Sequence, residues 1–378
     1  MAKIDQLFEL MHREGASDLH ISAGVSPHLR INGEIVPVQM DPLTNEACQL
    51  LIFEILTEKQ KRTFVENWEL DFGYSIPNVC RVRCNIFMQR NGLGATFRAI
   101  PERVKSVEEL GLPPEILDMI NVRKGLICVT GATGSGKSTT LAALIDYINR
   151  TENVHILTIE DPVEFVHVNK KSLINQREVG GHTKSFANAL KAALREDPDI
   201  ILVGEMRDVE TIQLAITAAE TGHLVFGTLH TGSAPKTIDR MIDVFPDNKQ
   251  PLIRAMLSES LRGVIAQTLL KRADGPGRIP AFEIMFNNKA IANLIREGKT
   301  FQIGSTMQIG RGQGSITMDV AIESLLAKKL ITSEEADAAL GRTSGKEKDA
   351  SKTASPPTPA APEPPPAGGL MSKFRKSS

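Results

Sequence analysis

A chain of 378 residues with 44 basic and 45 acidic side chains has a formal net charge of -1, so no global field draws it toward nucleic acid or anionic lipid. Hydrophobic residues at 41% and charged residues at 24% are the proportions of an ordinary folded protein with room for two domains. No apolar run approaches the ~18 residues of a membrane span, and Met1 to Glu9 lacks the basic start and apolar core of a secretion signal, so the expected location is the cytoplasm.

In chain order, Leu19 to Ser22, Pro27 to Ile31 and Gly33 to Val36 read as short strands punctuated by Gly and Pro. Asn45 to Glu66 predicts one amphipathic helix, and Cys80 to Phe87 and Gly94 to Ile100 alternate again as strands. Residues 1–105 are therefore expected to form an α+β module. Residues 106–122 follow as a linker, with Gly111-Leu112-Pro113-Pro114 as a hinge-like break. From 123 to 342, apolar runs at Leu126 to Val129, Val154 to Ile159, Ile200 to Val203 and Leu224 to Leu229 alternate with helical segments, the pattern of a largely parallel sheet covered by helices. Ser258 to Lys271 and Ala290 to Glu297 are read as helices after the sheet. Residues 343–378 hold seven of the 21 prolines between Pro356 and Pro366 and end in Lys373-Phe374-Arg375-Lys376, so a disordered tail is expected. The four cysteines, Cys48, Cys80, Cys84 and Cys128, form no C-x-x-C pair and are read as ordinary thiols rather than metal ligands.

Gly131-Ala132-Thr133-Gly134-Ser135-Gly136-Lys137-Ser138 fills the pattern G-x-x-x-x-G-K-[ST] at every fixed position. An apolar strand leads into it and a helix-forming run leaves it, which separates a phosphate loop from a mere glycine-rich turn. Glycines let backbone N–H groups face the phosphates, the helix start adds its positive dipole end, and Lys137 reaches the β and γ oxygens. Ser138 is expected to hold a magnesium ion, and Thr139 completes the set around the nucleoside triphosphate.

Phosphoryl transfer also needs an acidic group at a neighbouring strand end. Asp199 to Glu205 supplies Glu205, with Gly204 standing where many such enzymes carry an Asp; Glu205 is expected either to act through metal-bound water or to be the base. Glu160-Asp161-Pro162-Val163-Glu164 ends another strand, and Glu164 is the rival for activating water. His223 and His230 bracket a buried strand, and either imidazole is a candidate to contact the γ-phosphate. Among the arginines available to meet developing charge, Arg83 and Arg98 are the first choices ahead of Arg81, Arg90, Arg195 and Arg207. A guanine-reading N-K-x-D element is missing at Asn169-Lys170-Lys171-Ser172, which argues against a regulatory GTPase, and no basic stripe supports a DNA translocase.

With these residues in place, the chain resembles the secretion-superfamily ATPases, most specifically their type IV pilus retraction branch. The marks are Gly15-Ala16-Ser17-Asp18-Leu19-His20-Ile21, the phosphate loop, Thr158 to Phe165, Gly204-Glu205-Met206-Arg207-Asp208 and Gly227-Thr228-Leu229-His230-Thr231. The resemblance implies a PAS-like α+β N-terminal domain, a RecA-like P-loop ATPase domain, ATP and Mg2+ as ligands, and a homo-hexameric ring. It implies further that the ring docks peripherally on the inner-membrane pilus platform protein at the pilus base, with no nucleic acid partner. It carries the general base onto Glu164, the Walker B glutamate onto Glu205, the histidine pair onto His223 and His230, and nucleotide-binding arginines onto Arg83 and Arg98. Ala290 to Glu297 matches the branch's signature helix except that Ala292 stands where the family has arginine. The paired-cysteine metal site frequent in the assembly and type II secretion branches is missing, which also favours the retraction branch.

Overall fold

The computed structural model describes residues 2–31, 33–76, 79–100 and 103–342; the tail expected at 343–378 lies outside the described residues. The N-terminal part runs α1 (Asp5–Arg13), β1 (Asp18–Ser22), β2 (His28–Ile31), β3 (Glu34–Pro37), α2 (Asn45–Phe53), α3 (Glu58–Asn67), β4 (Glu69–Ile76), β5 (Cys80–Gln89) and β6 (Gly92–Ile100). Its six strands form an antiparallel sheet in the order β3-β2-β1-β6-β5-β4. Strict alternation on β5 explains how the sheet is built: Val82, Cys84 and Ile86 are fully buried with Phe8, Phe97 and Ile52, while Arg81, Arg83 and Asn85 face the other way.

The single helix expected over Asn45 to Glu66 is two helices. Thr57 starts the second one with a capping box, its hydroxyl accepting from the Gln60 amide at 3.3 Å while Gln60 accepts from the Thr57 amide at 2.9 Å. Strand β4, which the sequence reading left out, then closes one edge of the sheet.

The stretch expected as a linker contains α4 (Pro114–Ile120), and its Val107, Ile116, Met119 and Ile120 pack under the second sheet with Ile127 and Val129. That sheet is assembled from β7 (Gly125–Thr130), α5 (Lys137–Thr151), β8 (His155–Glu160), β9 (Leu173–Glu178), α6 (Phe186–Ala193), β10 (Ile200–Val203), α7 (Val209–Thr221), β11 (Leu224–Leu229), α8 (Ala234–Asp243), α9 (Gln250–Ser260), β12 (Leu261–Lys271) and β13 (Arg278–Phe286). Its order is β13-β12-β7-β11-β10-β8-β9, parallel except for β13. Every residue of β7 and β11 is buried, which is why both read as continuous apolar runs rather than alternating ones. Helices α10 (Lys289–Glu297), α11 (Ile303–Ile309), α12 (Met318–Ala327) and α13 (Ser333–Ala339) follow.

Ser258 to Lys271, read as helix, is instead the end of α9 and the whole of β12. The segment lies beside β7 in the sheet, and Gly263 shows the reason: a Cβ there would stand 2.4 Å from the Met119 methyl and 2.5 Å from the Met285 carbonyl oxygen. Tertiary packing, with Val264 and Ile265 fully buried, overrides the helical spacing. All four cysteines are buried.

Candidate active site

Strands β7, β11, β10 and β8 are adjacent and parallel, so the segments leaving their carboxyl ends share one edge of the sheet. These segments are the phosphate loop, His230, Glu205 and the turn bearing Glu164. A crevice at that edge is where open α/β sheets bind ligands.

The loop is already shaped as a cradle. Gly131, Gly134 and Gly136 take φ values of 144°, 77° and 90°, conformations that favour glycine. At Gly131 a Cβ would come within 2.3 Å of the Gln267 carbonyl oxygen. Lys137 Nζ donates to the Gly131 and Ala132 carbonyl oxygens at 2.8 and 3.0 Å, and the buried Ser135 hydroxyl has no partner among the described residues. Gln267 of β12 braces the loop from below by accepting from Thr140 Oγ1 at 2.7 Å.

Glu205 is held by two side chains: Arg207 makes a tight ion pair with it, and His230 Nε2 lies 3.2 Å from Oε1. Burial pushes its carboxyl up, but Arg207 and His230 outweigh that and hold it below the usual range. His230 Nδ1 is also 3.5 Å from the Thr133 hydroxyl, so one imidazole touches both the phosphate loop and the strand-end acid. Burial lowers the Lys137 ammonium, opposed by the fields of Glu205 and then Glu164; both carboxylates thus face the same cation. Glu164 itself is half-exposed, pairs with Arg83 Nη1 at 3.8 Å, and donates its amide to Glu160 Oε2 at 3.4 Å.

Gly204, standing where many such enzymes carry an Asp, lies close against β8. A Cβ would sit 3.0 Å from the Ile159 carbonyl oxygen and 3.2 Å from Glu160 Cα, so the end of β8 would have to give by a few tenths of an ångström to admit one. Thr228 fixes the same corner, its hydroxyl donating to the Gly204 carbonyl.

His223 is not brought to this group. It precedes β11, opposite the amino end of β7, and its carbonyl accepts from the Gly125 amide at 3.0 Å. Its ring Nδ1 lies 3.0 Å from the Ala218 carbonyl oxygen at the end of α7. Six strand residues at ~3.3 Å each separate it from His230 by roughly 20 Å, because the two ends of one strand lie at opposite edges of a sheet. Arg98 stands directly across from Arg83 on the N-terminal sheet, yet its guanidinium is taken by Asp18 at 2.8 Å. The arginine that the sequence reading ranked lower, Arg81, crosses to the second sheet, donating to the Val163 carbonyl oxygen at 3.2 Å and to Glu178 Oε2 at 3.1 Å. Glu160 and Gln267 were also missed: a carboxyl pushed up by burial, against hydrogen bonds from Thr158 and Gln176, and an amide supplied by a strand read as helix. Neither residue falls within the loop motif, so only packing reveals them.

The donor set suits a nucleoside triphosphate with a magnesium ion. Backbone amides at a helix start and an ammonium fit phosphates, and the hard oxygens of Ser138 and Glu205 fit an ion that takes one or two protein ligands and completes its shell with phosphate and water. Ser138, Thr158, Glu160, Gly204 and Thr228 line a common cavity beside α5.

A parallel sheet that delivers a phosphate loop, with acids and an imidazole at the ends of the next strands, defines a P-loop nucleotide-binding protein of the NTPase class. The family described as type II/IV secretion system proteins matches residues 2–311, and the chain belongs to that family. It is 54% identical over 333 residues to the type IV pilus retraction ATPase PilT of Pseudomonas aeruginosa, covering 88% of this chain and 96% of that one. It is 39% identical to the type IV pilus ATPase PilU of the same organism, over 88% of this chain and 87% of the relative. A crystal structure of the pilus retraction motor PilT with bound ADP superposes with a TM-score of 0.83 at 46% identity, covering 93% of this chain and all of that one.

Proposed function

We propose that this chain is a magnesium-dependent ATPase working as a homo-hexameric motor of type IV pilus retraction. The observation that carries the reading is the joining of phosphate loop, strand-end carboxylate and imidazole through His230, within 3.5 Å of Thr133 and 3.2 Å of Glu205. The greater identity to PilT than to PilU, 54% against 39%, supports the main motor over an accessory paralogue. In this reading the motor acts in the cytoplasm, docked on a platform protein of the inner membrane. In this reading residues 1–105 are the N-terminal domain and 123–342 the ATPase domain, and the packing of Val107, Ile116, Met119 and Ile120 against Ile127 and Val129 supports counting the linker with the latter.

Gly131 to Thr139 hold the triphosphate, Lys137 leaving its loop carbonyls for the β and γ oxygens. Glu164 takes a proton from the attacking water, its pairing with Arg83 keeping it turned toward the crevice. Glu205 and Ser138 would hold the magnesium ion, which when bound draws charge from the phosphates. His230 links the loop to Glu205, so that strain on the phosphates is felt at the strand end. Arg83 and Arg98 approach the nucleotide when the N-terminal sheet moves toward the loop. His223, on the opposite edge, is a candidate for an interface between copies rather than for contact with the phosphates of its own chain.

Lys137→Ala tests the whole reading. It should abolish ATP turnover and pilus retraction while circular dichroism and melting temperature stay near the parent's. Turnover at the parental rate would reject the assignment.

A further inference from the structure

Arg81 is engaged on three sides. Its Nη2 donates to Glu178 Oε2 at 3.1 Å, Nε donates to the Val163 carbonyl oxygen at 3.2 Å, and Nη1 donates to Ser75 Oγ at 3.1 Å. Glu178 Oε2 also accepts from the Val163 amide at 3.1 Å. Residue 163 is therefore gripped at both its N–H and its C=O, by an ion pair whose side chains are only 22% and 14% exposed. Gly73 makes room for the guanidinium on the next strand: a Cβ there would lie 2.6 Å from Arg81 Nη2 and 3.4 Å from Glu178 Oε2. A second tie runs parallel to the first, from Lys59 Nζ of α3 to the Gly180 carbonyl oxygen at 2.9 Å.

We propose that Arg81 is a positioning residue that ties the N-terminal sheet to the turn carrying Glu164, so that the placement of the base follows the placement of that sheet. The proposal rests on the reading of Glu164 as the base. Val163 precedes Glu164 directly, and Arg83, two residues along the same strand face as Arg81, meets the Glu164 carboxylate itself at 3.8 Å. Strand β5 thus holds the turn through its backbone with one arginine and through its carboxylate with the next. A shift of the N-terminal sheet relative to the loop moves both contacts together. This is a means by which domain motion gates water activation, since misplacing a reacting group by ~1 Å can cost on the order of 100-fold in rate.

The experiment uses the full chain and the variants Arg81→Ala, Arg81→Lys and Gly73→Ala. Three quantities are read: the hydrogen-exchange rate of the Val163 amide, kcat with saturating ATP, and the affinity for a slowly hydrolysed ATP analogue. In Arg81→Ala the Val163 amide should exchange at least ~10-fold faster and kcat should fall about 10- to 100-fold, with analogue affinity within about threefold of the parent. Arg81→Lys, which keeps charge but not the fork, should recover part of the loss. Gly73→Ala displaces the flexible end of Arg81 without altering the ATPase sheet; it should reproduce the fall in kcat at a melting temperature near the parent's. Unchanged Val163 exchange in Arg81→Ala overturns the tie, and faster exchange with parental kcat overturns its role in positioning. A loss confined to analogue affinity overturns it too, by making Arg81 a direct nucleotide ligand. A Glu164→Gln variant with parental turnover overturns the base reading alone, leaving the exchange result to decide the tie.

Discussion

Two carboxylates act on Lys137, and their surroundings suit them to different work. Glu205 is saturated by Arg207 and His230 and held below the usual carboxylate range against the pull of burial, which suits a metal-shell ligand better than a proton acceptor. Glu164 has one loose partner at 3.8 Å and remains open to solvent water. Glu164→Gln should therefore lower kcat about 10²- to 10⁴-fold with nucleotide affinity near the parent's. Glu205→Gln should lower kcat and also raise the magnesium concentration needed for half-maximal rate. A larger kcat loss in Glu205→Gln with an unmoved magnesium requirement would exchange the two roles. That the phosphate loop, Glu205, Glu164 and His230 follow strand ends was legible from type and spacing alone. Arg81 was not, because nothing in the sequence tells which outward residue of an alternating strand meets a second sheet.

The segment from β8 to β9 shows how an element supports the site without entering it. Gln176 on β9 donates to the Phe165 carbonyl oxygen at 2.8 Å and accepts from the His167 amide at 2.8 Å, fastening the chain just beyond Glu164. His167 packs into the cavity behind α5 with Nδ1 unpartnered among the described residues. Burial pushes its pKa from 6.5 down to about 4. The unfolded chain then binds the extra proton first: stability from this group is complete above the unfolded value of 6.5 and is lost as pH falls from there toward about 4. A depression of that size corresponds to about 3 kcal/mol. His167→Gln should make urea stability fall less steeply between pH 6.5 and 4 than it does in the parent. Parallel curves would mean that the imidazole is charged in the fold. Strand β9 itself went unread because its burial follows neither a continuous apolar run nor a clean alternation. The same limit affected β12, where helical spacing and β-strand burial compete and the sheet decides.

For the whole molecule, the two sheets keep separate cores, and among the described residues polar ties join them, including Lys59 to Gly180, Arg81 to Glu178 and Val163, and Arg83 to Glu164. Such junctions permit relative motion more readily than a large apolar interface does. A ring whose sites respond to neighbours should lose specific activity on dilution. ATP turnover per chain is expected to rise steeply with protein concentration and then level off, in step with the appearance of a species six times the chain mass. Constant turnover on a species that sediments as a monomer throughout would reject the ring.

The sequence by itself determined the chemistry: a phosphate loop is a local object, its glycines, lysine and serine being neighbours in the chain, and the parallel sheet around it announces itself through fully apolar strands. Tertiary structure alone decided which distant groups meet that loop. His230 reaches it and His223 does not, because a parallel strand sends its two ends to opposite edges; Gly204 sits where the end of β8 leaves little room for a side chain; Arg81 ties the turn because Gly73 leaves it room. Each of these depends on distances between segments remote in sequence, and such distances are set by packing rather than by local pattern.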